Sequence, residues 1–198
     1  VDPVALEQAR MQQVTAGFSP GQQGQGSVAP ESMLDALVYV TFQELATRIS
    51  HRNTGLITQD ESAVRLTSRI ATDENLHYVF YRDMVSAALE IDPSSAVLSM
   101  HRQVTNFQMP GAAMPGFAAK AKRMSAAGIY NFRIHLEQVL TPVLLTHWRL
   151  TELDGLSDEA KLAREEIVAY MERLGRVAAK LDLLRGPAGV GDHPDPRT

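Results

Sequence analysis

Residues 69–81 read RIATDENLHYVFY, and the fold turns on how that stretch is wound. Wound as a helix, it puts Ile70, Glu74, His77, Tyr81, Met84 and Ala88 on one face at i, i+3 and i+4 spacing. That face is expected to point into a core. A carboxylate and an imidazole on it have to be paired, hydrogen-bonded or bound to a metal, because burying them bare is costly or shifts their pKa values.

The preceding helical segment, LDALVYVTFQELATRISHRNT (34–54), carries a matching stripe. Leu34, Leu37, Thr41, Glu44, Arg48 and His51 share one face, with Thr47 beside it. Glu44 occupies a position that a core face would ordinarily give to Leu. A short turn near Ile57 makes the two segments antiparallel neighbours. At 1.5 Å per residue, Glu44 and Glu74 then lie roughly 20 and 25 Å from the turn, nearly level with each other. A Glu facing a Glu-x-x-His on an antiparallel neighbour is half of a carboxylate-bridged two-metal site.

Spacing alone leaves the plainer alternative open. With 12 Glu and 6 His in 198 residues, roughly 0.4 Glu-x-x-His matches are expected by chance, so the motif by itself is weak. A helical Glu and His more often form a surface pair or a satisfied core hydrogen bond, here with Arg48 or Arg69 as ionic partners.

Composition sets the frame. The length of 198 residues is enough for one domain with a real core, and 44% hydrophobic with 21% charged residues is ordinary for a globular protein. A net charge of -4 gives no support for nucleic-acid binding. Cysteine is absent, so a metal site has to use Asp, Glu and His. No apolar run suits a membrane span and no signal-peptide pattern opens the chain, so the expected location is cytoplasmic.

The rest of the chain reads as helix. Expected helices run over 3–15, 31–53 (ended by Asn53-Thr54-Gly55), 60–90, 94–107, 117–126, 129–150 and 157–184. Thr58 and Glu61 have capping-box spacing, Asp92-Pro93 separates two helices, and Pro142 should kink or split the helix that contains it. The Gly-, Gln- and Ser-rich stretch 17–30 is expected to be a flexible linker, 109–116 a loop and 185–198 a disordered tail. No segment reads as a strand, so the class is all-α, with 1–184 as a single helical domain.

Longer motifs carry a resemblance. FQELATRISHRNT (42–54) followed by RIATDENLH (69–77) resembles the soluble acyl-acyl-carrier-protein desaturases, whose second ligand-bearing helix pair reads FQERAT-x-I-S-H-x-N-T and then A-x-DE-x-x-H. The likeness is nearest to the mycobacterial-type members. It continues through LEIDPSSAVLSM, the FQMPG loop, GIYNFRIH and ELDGLSDEA. The resemblance implies a ferritin-like helical bundle, two irons per complete site, O2 as co-substrate and electrons from ferredoxin. It also implies a fatty acyl chain presented on acyl carrier protein, and a homodimer. By the same resemblance Glu44, Glu74 and His77 are metal ligands, Asp73 supports a ligand imidazole, and Thr47 faces the oxygen side of the metals. His51 and Asn53 match family residues too, with capping or packing as their expected work. His101, His135, His147 and His193 have no ligand pattern.

One departure qualifies this expectation. The family carries an earlier helix pair with its own Glu and Glu-x-x-His, whereas here the opening VDPVALEQAR resembles the segment that follows that pair. Glu7, Glu31 and Glu61 have no His three residues on. The bundle is therefore expected to be incomplete, with this chain supplying three of six ligands. A non-catalytic homologue that binds acyl carrier protein or a desaturase is the alternative.

Overall fold

The computed structural model describes residues 2–18, 32–109, 112 and 115–185. Among these residues there is helix and no strand. The α-helices are α1 (Pro3–Phe18), α2 (Met33–Thr58), α3 (Glu61–Ile91), α4 (Pro93–Thr105), α5 (Phe117–Ala126), α6 (Phe132–Ile134) and α7 (Asp158–Arg185). A π-helix, His135–His147, continues α6, and a 3-10 turn, Leu150–Glu152, precedes α7.

Local chemistry explains the boundaries. Ser32 caps α2 by accepting from the Asp35 N–H at 3.0 Å, and Asp92 does the same for α4 through Ser95, with Pro93 in the first turn. Asn131 caps α6 through the Ile134 N–H at 2.9 Å. Helix α2 is the organising element. One side packs along α3, and the other packs on α4 and the π-helix, which also meet α7. The core runs through Val38, Phe42 and Ala46 of α2, Val97, Met100 and Val104 of α4, Val139, Leu140 and Leu144 of the π-helix, and Ile167 of α7, all fully buried. Burying a side chain such as Phe42 stabilises by about 1.5–3 kcal/mol. An ion pair at 2.8 Å between buried Asp35 and half-buried Arg102 ties α2 to α4.

Four expectations need correction. Helix α2 does not stop at Asn53-Thr54-Gly55 but runs to Thr58, and it ends at Gln59 in the left-handed region (φ 53°). Gly55 is a packing glycine: a Cβ there would collide with Thr67 Oγ1 of α3. Asp60, not Thr58, caps α3, accepting from the Ala63 N–H at 2.8 Å; the Thr58 hydroxyl donates back to the Gly55 carbonyl. Pro142 does not split its helix. The whole segment widens to π winding, as in the bond from the Trp148 N–H to the Val143 carbonyl at 2.9 Å, which accommodates a residue that cannot donate. Finally, the buried line of α3 centres on Tyr78 and Val85, while His77 and Met84 are exposed. Of the residues expected as linker, Gly17 belongs to α1; the remainder of that stretch, and the tail beyond Arg185, lie outside the described residues.

Candidate metal centre

The α2–α3 hairpin places the donors. Only Gln59 and Asp60 separate the helices, so positions about 15 residues to either side, roughly 22 Å along each helix, come level. Gly55 permits close approach on the way, against Thr67. Glu44 of α2 and Glu74 and His77 of α3 converge, each offering a ligating atom within 4.8 Å of the others. His77 Nδ1 is 3.3 Å from Glu44 Oε2 and 3.9 Å from Glu74 Oε2. Among the described residues this is the cluster of three such groups that can hold a metal ion.

Burial differs sharply within the trio. The side chains of Glu44 and Glu74 are 13% and 20% exposed, and that of His77 is 60% exposed. Burial pushes the Glu44 carboxyl up to about 7, the adjacent Glu74 carboxylate adds to the rise, and His77 offsets part of it. Two carboxylates held together without a neighbouring Lys or Arg are poorly satisfied by protein alone. A cation satisfies them, and two hard oxygens with one imidazole suit iron or manganese. The residues present therefore fit one edge of a metal site. On the open side, next to His77, α3 exposes Leu76, Phe80 and Met84.

The remaining predicted residues fall as follows. Thr47 lies one turn beyond Glu44, and its hydroxyl donates to the carbonyls of Gln43 and Glu44, each at 3.0 Å. Asp73 is half-exposed and lies 3.6 Å from Arg69. Neither Arg48 nor Arg69 forms an ion pair with Glu44 or Glu74 among the described residues; the rings of His51 and His77 lie near those carboxylates. His51, expected to cap or pack, is half-buried and brings Nε2 to 3.8 Å from Glu74 Oε1. Asn53 packs as expected, donating to the Ile129 carbonyl at 2.9 Å. His101 pairs with Glu166 at 2.7 Å, and His147 lies 3.4 Å from the Ser86 hydroxyl.

A second feature lies on other elements of the fold. A cavity of about 970 Å³ opens between α5, α6 and α7, walled by Phe107, Met109, Phe117, Tyr170 and Leu174. Its lining includes a polar pair, Tyr130 and His135, joined at 2.7 Å through His135 Nδ1. His135 also stacks on Phe107, with ring centroids 4.8 Å apart. Burial drives the His135 pKa down to about 4, so the imidazole is neutral, and burial pushes the Tyr130 phenol up. No residue of α2 or α3 lines this cavity. The one sequence signal was a His and a Tyr spaced five apart in GIYNFRIH, too common a pattern to single out.

Comparison with known proteins gives the family. The chain is 44% identical over 183 residues to DesA1 of Mycobacterium tuberculosis, described as a candidate acyl-[acyl-carrier-protein] desaturase, covering 92% of this chain and 54% of that protein. It is 34% identical over 174 residues to acyl-[acyl-carrier-protein] desaturase 7, chloroplastic, of Oryza sativa, covering 79% of this chain and 41% of the relative. It is 29% identical over 198 residues to stearoyl-[acyl-carrier-protein] 9-desaturase 6, chloroplastic, of Arabidopsis thaliana, covering 92% and 47%. The chain thus spans about half the length of the curated relatives it matches. No helix among the described residues is long and apolar enough to cross a membrane. The family model described as "Fatty acid desaturase" matches residues 1–185, and the chain belongs to that family.

Proposed function

We propose that this chain is the part of an acyl-[acyl-carrier-protein] desaturase that supplies half of a two-iron ligand set. The reaction is O2-dependent insertion of a cis double bond into a saturated fatty acyl chain. The observation that carries the reading is the convergence of Glu44 with the Glu74-x-x-His77 pair across the α2–α3 hairpin. Glu44 and Glu74 would donate oxygens and His77 a nitrogen. The other donors would come from a further segment or from a second copy, as the two-fold pseudo-symmetry of such bundles allows.

Bound iron would supply the oxidising power, taken from dioxygen, that an unactivated C–H bond requires. The balance is two hydrogens leaving the chain, with O2, two electrons and two protons giving two waters. Ferredoxin is the proposed electron donor, acyl carrier protein the carrier of the chain, and the cytoplasm the location. The chain's own residues bind, orient and hold protons. Glu44, its pKa raised to about 7, is about half protonated at neutral pH in the metal-free chain and would give up that proton when a cation binds. Thr47, one turn from Glu44, would border the oxygen side of the site, and Asp73 would orient a ligand imidazole. The 970 Å³ apolar cavity fits the size and character of a site for the alkyl chain.

The test is reconstitution. The chain is co-expressed with the portion of DesA1 outside the matched region, loaded with iron, and given ferredoxin, reductant and an acyl carrier protein substrate. An unsaturated product by mass spectrometry is expected, and it should disappear in the Glu74→Ala, His77→Ala double variant. Product that persists in the double variant would mean that this half does not carry the chemistry, leaving the non-catalytic binding subunit as the better account.

A further inference from the structure

The cavity is mostly apolar, with Gln108, Lys122, Asn131, Arg133 and Asp182 also on its wall, and within it Tyr130 and His135 form a polar pair that is only half satisfied. His135 is 7% exposed, lines the cavity and uses Nδ1 for Tyr130 at 2.7 Å. Its second ring nitrogen, Nε2, makes no hydrogen bond among the described residues. The ring is fixed by the Tyr130 contact and by its stacking on Phe107. A rigid ring nitrogen open to a mostly apolar cavity discriminates between ligands. It rewards a bound chain that brings an oxygen to it and penalises one that covers it with methylenes, because the covered group is left unpaired.

We infer that His135 is a specificity-determining residue, contacting through Nε2 a carbonyl or hydroxyl oxygen on the chain that fills the cavity. With the Tyr130 hydroxyl donating to Nδ1, the ring proton sits on Nε2 and donates to that oxygen. Two sources could supply the oxygen: a keto or hydroxyl group within the alkyl chain, or the carbonyl of the thioester at its head. This inference rests on the reading of the cavity as the seat of the alkyl chain. The neutral state of the ring is consistent with it, since a neutral imidazole keeps one donor at physiological pH.

The test uses simple probes: decane, 1-decanol, 2-decanone and the methyl thioester of decanoic acid, competing with a fluorescent alkyl reporter on the full chain. The readout is the ratio of each oxygenated probe's affinity to that of decane, compared between wild type and His135→Phe. A fall of about tenfold in that ratio is expected in His135→Phe, with decane affinity kept within about twofold. Should His135→Phe not fold, Tyr130→Phe serves: it frees the ring, and the ratio should fall in the same direction while decane still binds. His135→Gln, which retains a donor, should recover part of the preference. A loss confined to decanone and decanol assigns the oxygen to the chain, and a loss confined to the thioester assigns it to the head carbonyl. If every probe binds and the ratio is the same in wild type and variants, the role of His135 is overturned while the cavity reading stands. If no alkyl probe binds wild type, the cavity reading itself fails.

Discussion

The two sides of helix α2 solve opposite problems. On one side Val38, Phe42 and Ala46 are fully buried against α4 and the π-helix, and Phe42 meets Trp148 and Phe107 edge-on at 5.7 and 6.4 Å. On the other, Glu44 sits among Glu74, His77 and His51, with an open flank where α3 exposes Leu76, Phe80 and Met84. The first side is close-packed and stabilises the fold. The second holds two carboxylates that pair with no Lys or Arg among the described residues. Residues that destabilise a fold and are nevertheless held in register are best explained by what they bind.

That contrast can be broken by mutation, and the largest effect belongs to the packed side. Phe42→Ala should destabilise the chain by about 3–5 kcal/mol, through lost burial and a cavity beneath Trp148. Denaturant melts measure it, and a loss under about 1 kcal/mol would mean that this side is not the core.

The donor side should respond in the opposite direction. Glu44→Gln is expected to stabilise the metal-free chain at pH 8 by on the order of 2 kcal/mol, given a carboxyl raised from 4.5 to about 7. The sign follows from proton binding. Between pH 4.5 and 7 the folded chain holds a proton on Glu44 that the unfolded chain has released, so stability falls as pH rises through this window. The gap between wild type and Glu44→Gln should open across that range and level off above it. Glu74→Ala should act in the same direction, because it removes the neighbour that helps raise Glu44. Melts across pH settle the point, and a large destabilisation by either change at pH 8 would make these residues structural.

The hairpin that joins the two sides offers a finer test. Gly55→Ala should destabilise by about 1–2 kcal/mol despite the better helix former, because the new methyl meets the stiff, hydrogen-bonded Thr67. Adding Thr67→Ala should restore most of the loss, and failure to do so would place the constraint on Gly55 elsewhere. The smallest expected effect is Thr47→Val. Its hydroxyl bonds only the preceding turn of its own helix, so metal-free stability should stay within about 0.5 kcal/mol. A larger loss would assign Thr47 a structural role in place of the proposed one.

The parts of this arrangement that were legible in the sequence are those fixed by spacing along one helix or across one short turn. Glu44, Glu74 and His77 could be brought level from helix rise alone, and α5 and the Asp92-Pro93 break were readable from their breakers and caps. What escaped depends on contacts between distant segments. Gly55 read as a helix stop because its partner, Thr67, lies on the next helix. His77 read as a core residue because the side of α3 that lacks a described neighbour cannot be told from the buried side by periodicity. Pro142 signals a lost donor but does not say that a long π-helix will absorb it. The cavity is assembled from several separated segments, so neither it nor the role of His135 follows from any local pattern.

The most direct test of the donor trio is iron stoichiometry on size-fractionated protein, loaded anaerobically with Fe(II). The account predicts little iron on the monomeric chain, and about two irons per assembly once a second donor set has joined it, as a paired carboxylate site holds. That iron should be lost when Glu74 and His77 are both replaced by Ala. Two irons in a strict monomer, or iron retained by the double variant, would contradict it.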